Sequence, residues 1–174
     1  MFARSFCLPV PRDWRTLWAL QIRSRARPRR EVFHLAEMLR REGVTTGLFS
    51  NTDASHWRVL EARGWFEGFF PRIFSFQIGE AKPRLAAFER AEGSLPAAAR
   101  PPLLVDDSTM NVAMARRVGW RSVRFTTGAG LYRELVRLGF LASRGNSPYR
   151  YGERQRYRPQ GRRLDASLST TSRT

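Results

Sequence analysis

The stretch Pro101-Pro102-Leu103-Leu104-Val105-Asp106-Asp107-Ser108 decides the fold. Three large aliphatic residues follow a stiff pair of prolines and stop at two acids. A short apolar run bounded in this way reads as a buried strand. Ser108 or Thr109 then caps a helix running through Val118, and Gly119 closes it. The same grammar recurs on both sides. Upstream, Thr45-Thr46-Gly47-Leu48-Phe49-Ser50 reads as a strand, and Thr52 or Asp53 caps a helix to about Arg63 that Gly64 ends. Downstream, Ser122 to Phe125 reads as a strand and Leu131 to Leu138 as a helix closed by Gly139.

The remaining elements fill the alternation. Val32, Leu35, Ala36 and Leu39 follow the helical period across Arg29 to Glu42. Arg72-Ile73-Phe74-Ser75-Phe76 is a further strand, and Pro83 suits the first turn of a helix through Glu92. Helices alternating with short apolar strands imply a parallel sheet covered on both faces. In such folds a ligand sits at the carboxyl ends of the strands. That directs attention to Ser50-Asn51, Ser75 to Gly79, and Asp106-Asp107.

Composition narrows the function classes. The chain has 174 residues, 31 of them basic and 15 acidic, for a formal net charge of +16. One domain, or one and a fraction, suits this length. The charge is uneven: residues 1–30 carry +7, residues 31–139 carry +3, and residues 140–174 carry +6. The α/β region is thus nearly balanced; the ends could bind polyanions weakly, but no nucleic-acid motif accompanies them and a solvated tail is the preferred reading. No stretch approaches the roughly 18 uncharged apolar residues of a membrane span, so a cytoplasmic protein with no membrane partner is expected. The single cysteine, Cys7, excludes an internal disulfide and a cysteine-based zinc site. From about Ala142 the chain is rich in Arg, Gly, Ser, Tyr, Gln and Pro, and is expected to be disordered.

The strand ends carry a consistent chemistry. Ser50 and Asn51 offer a hydroxyl and backbone N–H groups to a phosphate oxygen. Lys82 is a compact cation suited to neutralising a phosphoryl group. Asp106 and Asp107 are oxygen ligands of the kind Mg²⁺ takes while keeping several waters. The basic residues are 30 arginines and one lysine, and that lysine stands at this position. His34 and His56 read as surface or helix-turn residues. Met110 with Met114, the tryptophans Trp57, Trp65 and Trp120, and Phe66, Phe69 and Phe70 read as packing residues.

Taken in order, these pieces resemble the haloacid dehalogenase (HAD) superfamily of hydrolases, subfamily I. Leu48-Phe49-Ser50-Asn51 is similar to its second motif, Gly79-Glu80-Ala81-Lys82-Pro83 to its third, and Leu104-Val105-Asp106-Asp107-Ser108 with Asn111, Ala115 and Gly119 to its fourth. The resemblance covers roughly residues 28–140. Arg12 to Ile22, with Trp14, Leu17 and Trp18, is similar to the end of the family's helical cap.

The resemblance implies a Rossmann-like three-layer α/β/α parallel sheet, with a cap remnant at residues 1–28, a core at 29–140 and an Arg-rich tail at 141–174. It implies Mg²⁺-dependent hydrolysis of a small phosphate monoester. Ser50 and Asn51 would hold phosphate, Lys82 would act at the catalytic centre, and Asp106 and Asp107 would bind metal.

One part is missing. The family's first motif is Asp-x-Asp, whose first Asp is the nucleophile. This sequence has five aspartates, at positions 13, 53, 106, 107 and 165, and none forms that pattern. The strand bearing the motif lies, in the family, between the strands of the second and fourth motifs. A sheet interrupted at its centre is therefore expected, together with no phosphatase activity for the chain as it stands. The alternatives are a non-catalytic phosphate- or polyanion-binding protein with a degenerate core, its tails binding polyanions weakly and nonspecifically, and a complementing fragment that needs a strand from another chain.

Overall fold

The computed structural model describes residues 28–143. The expected cap remnant and nearly all of the Arg-rich tail lie outside them. In chain order the elements are α1 (Arg30–Arg41), β1 (Leu48–Ser50), α2 (Ala54–Glu61), β2 (Arg72–Phe74), α3 (Ser75–Ile78), α4 (Leu85–Gly93), a 3₁₀ turn (Ala97–Ala99), β3 (Leu103–Asp106), α5 (Thr109–Arg117), β4 (Arg121–Arg124) and α6 (Gly128–Arg137). The protein is mixed α/β.

The strands form two parallel pairs, β1 with β2 and β3 with β4. Leu48 to Ser50 run beside Arg72 to Phe74, and Leu103 to Asp106 beside Arg121 to Arg124. Parallel neighbours need a crossover, and here α2 and α5 supply it. The two pairs are not hydrogen-bonded to each other.

Several boundaries differ from the sequence reading. β1 begins at Leu48 and not at Thr45. Gly47 lies where a Cβ would stand 2.8 Å from the Pro71 carbonyl oxygen, so the backbones cross closely there. Ser75 and Phe76 leave the strand for the short helix α3, which ends at Gly79 with φ of 71°. The helix expected from Pro83 starts at Leu85. α6 starts three residues before the expected Leu131, because the Thr127 hydroxyl accepts the Gly130 N–H.

Among the described residues two apolar clusters hold the fold. One joins Leu35 of α1 to Val123 of β4, Phe125 beyond it, and Leu131, Tyr132 and Leu135 of α6. The other joins Ile73 of β2, Phe88 and Ala91 of α4, Leu104 of β3, Ala115 of α5, and Trp120. The second spans both strand pairs. Phe88 is fully buried there, its ring centroid 5.4 Å from Phe49 and 5.2 Å from Trp120.

Two of the expected packing residues turn out otherwise. Phe70 is 70% exposed and Met110 is 66% exposed, whereas Phe66 and Phe69 are buried. Phe69 leaves the preceding turn with its ring edge-on to Phe33, 5.8 Å between centroids, while Phe70 follows it on the solvent side, its N–H donating to the Thr46 carbonyl. Met110 sits on the solvent side of the first turn of α5, while Met114 packs against the second cluster.

Candidate functional site

The site is assembled around Lys82. Its side chain is 7% exposed, and the Asp106 side chain beside it is 9% exposed. Lys82 Nζ donates to Asp106 Oδ2 at 2.6 Å and to the Phe49 carbonyl oxygen at 2.6 Å. It also lies 4.8 Å from the centroid of the Phe49 ring, within the range of a cation–π contact. An ammonium has three N–H donors. Among the described residues these two oxygens accept from it, which leaves one of the three N–H donors uncommitted.

Lys82 is held in place by Asn51. The Asn51 amide donates through Nδ2 to the Lys82 carbonyl at 2.8 Å and accepts at Oδ1 from Lys82 N–H at 2.9 Å. Both polar ends of the side chain are engaged on one backbone unit. The Asn51 side chain thus acts on Lys82. Ser50 ends β1 and is half-buried.

The neighbouring turn is fixed in the same manner. The Ser75 hydroxyl accepts the Thr52 N–H and donates to the Thr52 carbonyl, both at 2.9 Å. This clasp ties the end of β1 to the end of β2. Beyond it, Asp53 caps α2 by accepting the Ser55 and His56 N–H groups at 2.7 and 2.9 Å, and pairs through Oδ2 with His56 Nδ1.

Asp106 ends β3 with both carboxylate oxygens hydrogen-bonded. Oδ1 accepts Ser108 N–H at 2.9 Å and Asn111 Nδ2 at 3.0 Å, while Oδ2 faces Lys82. Asn111 is 9% exposed, so its amide is fixed by packing as well. Desolvation pushes the Asp106 carboxyl upward, but the Lys82, Ser108 and Asn111 hydrogen bonds outweigh it and hold the group below the usual carboxylate range. Asp107 is exposed, and faces solvent beside this cluster.

These positions bear on the Mg²⁺ expectation. Among the described residues no group of three or more His, Cys, Asp or Glu side chains is placed to hold a metal ion. Two carboxylates suffice for a water-rich Mg²⁺ site. Here one of the two is already neutralised by Lys82, so the pair fits the ion only in part.

The structure therefore brings together Asn51, Lys82 and Asp106, with Ser50 and Asp107 at the rim. Sequence reasoning missed the Phe49 carbonyl, which leaves no trace in residue type. Ser75 lies in the strand-end stretch that the sequence singled out, but its clasp on the Thr52 backbone was not foreseen. A shallow cavity of about 310 Å³ lies next to the site, lined by Thr52, Asp53, Ser75, Phe76, Glu80 and Arg84 among others. Among the described residues no helix is long and apolar enough to cross a membrane. No protein-family model matches the chain, and no curated protein matches it.

Proposed function

We propose that this chain carries the phosphate-binding part of a HAD-type phosphoryl-transfer site and lacks the nucleophile. The observation behind this reading is the convergence on Lys82. Three motifs spread over more than fifty residues of sequence meet at Lys82: Asn51 holds its backbone, and the Phe49 carbonyl and the Asp106 carboxylate hold its ammonium. A buried lysine held between a strand carbonyl and a strand-end carboxylate is positioned to present its remaining donor to an anion.

In this reading the substrate class is a small phosphate monoester. Ser50 and the N–H groups that follow it would bind phosphate oxygens, and Lys82 would balance their charge. Asp106 and Asp107 would hold Mg²⁺, which when bound neutralises charge on a phosphoryl group. With Asp106 already paired, that binding would be weak. The finer fold belongs to the same proposal: the two strand pairs are the flanks of a three-layer α/β/α sheet whose central strand is absent from the sequence.

Two measurements test it. Calorimetric titration with inorganic phosphate in the presence of Mg²⁺ is expected to give measurable affinity, lost in Lys82→Ala. Incubation with p-nitrophenyl phosphate and Mg²⁺ is expected to give no turnover above background. Metal-dependent turnover that disappears in Lys82→Ala would overturn the inactive reading. Absence of any phosphate affinity would overturn the site itself. The alternative, polyanion binding by the Arg-rich ends, predicts salt-sensitive association with nucleic acid that Lys82→Ala leaves unchanged.

A further inference from the structure

The charge of the α/β region is not spread evenly. Residues 31–110 hold nine basic and eleven acidic side chains, a balance of −2, whereas residues 111–139 hold six arginines and one glutamate, a balance of +5. That second stretch supplies most of α5 and all of β4 and α6. The near-neutral total for the region therefore conceals one basic unit, and the fold gathers much of it along a single strand.

Among the described residues β4 pairs only with β3, so no strand lies along its other edge. Arg121 N–H donates to the Pro102 carbonyl at 3.2 Å and Phe125 N–H to the Asp106 carbonyl at 2.8 Å. The alternation of a parallel ladder turns the N–H groups of Ser122 and Arg124 the other way. Side chains alternate too. Val123 and Phe125 pack with α1 and α6, so Arg121 lies on that face. There the Arg29 guanidinium stands 5.2 Å from the centroid of the Phe125 ring, and that of Arg121 stands 5.1 Å from the centroid of Phe140. Ser122 faces α5, donating to the Val112 carbonyl at 3.3 Å and accepting from Arg116 Nε at 3.1 Å. Arg124 shares that face with Arg116. Four exposed arginines thus flank one strand edge, two on each face.

Among the described residues none of the four forms an ion pair with a carboxylate. Three of them are steadied by a ring or a hydroxyl, which lowers the entropy lost when they bind. A guanidinium held against a ring still has its fork of N–H donors, and that fork matches phosphate oxygens two at a time. From Arg121 to Arg124 the strand rises about 10 Å, the axial length of about three nucleotides. Regularly spaced anions that reach both faces of one edge are what a phosphodiester backbone supplies. Phe125 and Trp120 are buried and Phe140 is half-buried, so these rings offer no open platform for stacking bases. We propose that the β4 edge, with Arg29, Arg116, Arg121 and Arg124, is a docking surface for the sugar–phosphate backbone of nucleic acid, without base readout. The contact belongs to the folded region and not to the Arg-rich ends, and it holds whether or not Lys82 binds phosphate.

The test uses the full-length chain and a fluorescently labelled DNA duplex of about 20 base pairs, with anisotropy read between about 50 and 200 mM salt. Arg121→Gln/Arg124→Gln is expected to weaken binding about tenfold or more and to lower the salt slope by roughly 2. The charge-matched tail variant Arg154→Gln/Arg156→Gln is expected to weaken it by about threefold or less. A second measurement needs no variant: in nuclear magnetic resonance spectra of the unmutated chain, the Ser122 and Arg124 amides are expected to shift as duplex is added. Charge on an edge strand also guards against strand addition. If that is all these arginines do, no association appears at low salt, and the proposal falls. It falls equally if both variants lose the same affinity, if the two amides stay unmoved, or if polyglutamate of equal charge displaces the duplex as well as unlabelled DNA does.

Discussion

Lys82 is the residue on which most of the site depends, and its environment dictates what removing it does. Its ammonium and the Asp106 carboxylate are both largely shielded from water. Lys82→Met would leave that carboxylate buried without its counter-charge, which typically costs about 3–5 kcal/mol. We expect a loss of roughly 3 kcal/mol in urea denaturation, and we expect Lys82→Met/Asp106→Leu to recover much of it, because no unpaired charge then remains. The pH dependence follows from the same pair. The folded Asp106 carboxyl lies below its unfolded value of about 3.9. The stability it contributes is therefore complete above that value and is lost as pH falls through the folded pKa. The urea midpoint is expected to hold between pH 7 and 5 and to fall below about pH 4, with Asp106→Asn flattening this acid limb. Asp53, also lowered because the His56 and Ser55 hydrogen bonds outweigh its desolvation, contributes to the same limb. At this scale the sequence was informative about residue type. An isolated lysine among arginines, and acids at the end of an aliphatic run, marked the cluster. Which carboxylate oxygen meets which donor was invisible, because it depends on contacts between residues 24 to 33 positions apart.

Among the elements, two helix starts were legible. Asp53 and Ser108, both read as candidate caps, each accept a backbone N–H from the first turn of the helix that follows. Short polar side chains before a helical apolar pattern announce this directly. Thr127 caps α6 in the same way, but the glycines behind it hid that start, which the apolar pattern places at Leu131. Asp53→Ala is expected to destabilise the protein by about 1 kcal/mol, while Asp53→Asn, which keeps an acceptor, costs much less. Thermal denaturation of the two variants checks the difference. Strand ends were less legible. Arg72 to Phe76 reads as one apolar strand, yet Ser75 is drawn into a helical turn and its hydroxyl clasps the Thr52 backbone. Local β propensity at Phe76 lost to this tertiary hydrogen bonding. The aromatic run from Trp65 to Phe70 shows a similar limit. Composition marks it as core, but only the path of the backbone decides that Phe69 is buried and Phe70 is not.

Across the whole molecule, the second apolar cluster does what backbone pairing does not. It links β1 and β2 to β3 and β4 through α4, with Phe88 packed between Phe49 and Trp120. Phe88→Ala is expected to cost about 3–5 kcal/mol, the usual range for deleting a buried phenyl ring. It should also broaden the unfolding transition followed by Trp fluorescence relative to that followed by circular dichroism, since the two strand pairs would lose their common packing. An unchanged, coincident pair of transitions would count against this role. By itself the sequence determined the alternation of elements, the polar residues at strand ends, the uneven charge and the lack of an Asp-x-Asp pair. These are local properties, carried by periodicity, turn residues and residue type. Only the tertiary structure decided that Asn51 serves Lys82, that Asp106 is neutralised, and that the strands pair two by two. Pairing and charge neutralisation are set by which distant segments come within hydrogen-bonding reach, and no local pattern in the chain encodes that distance.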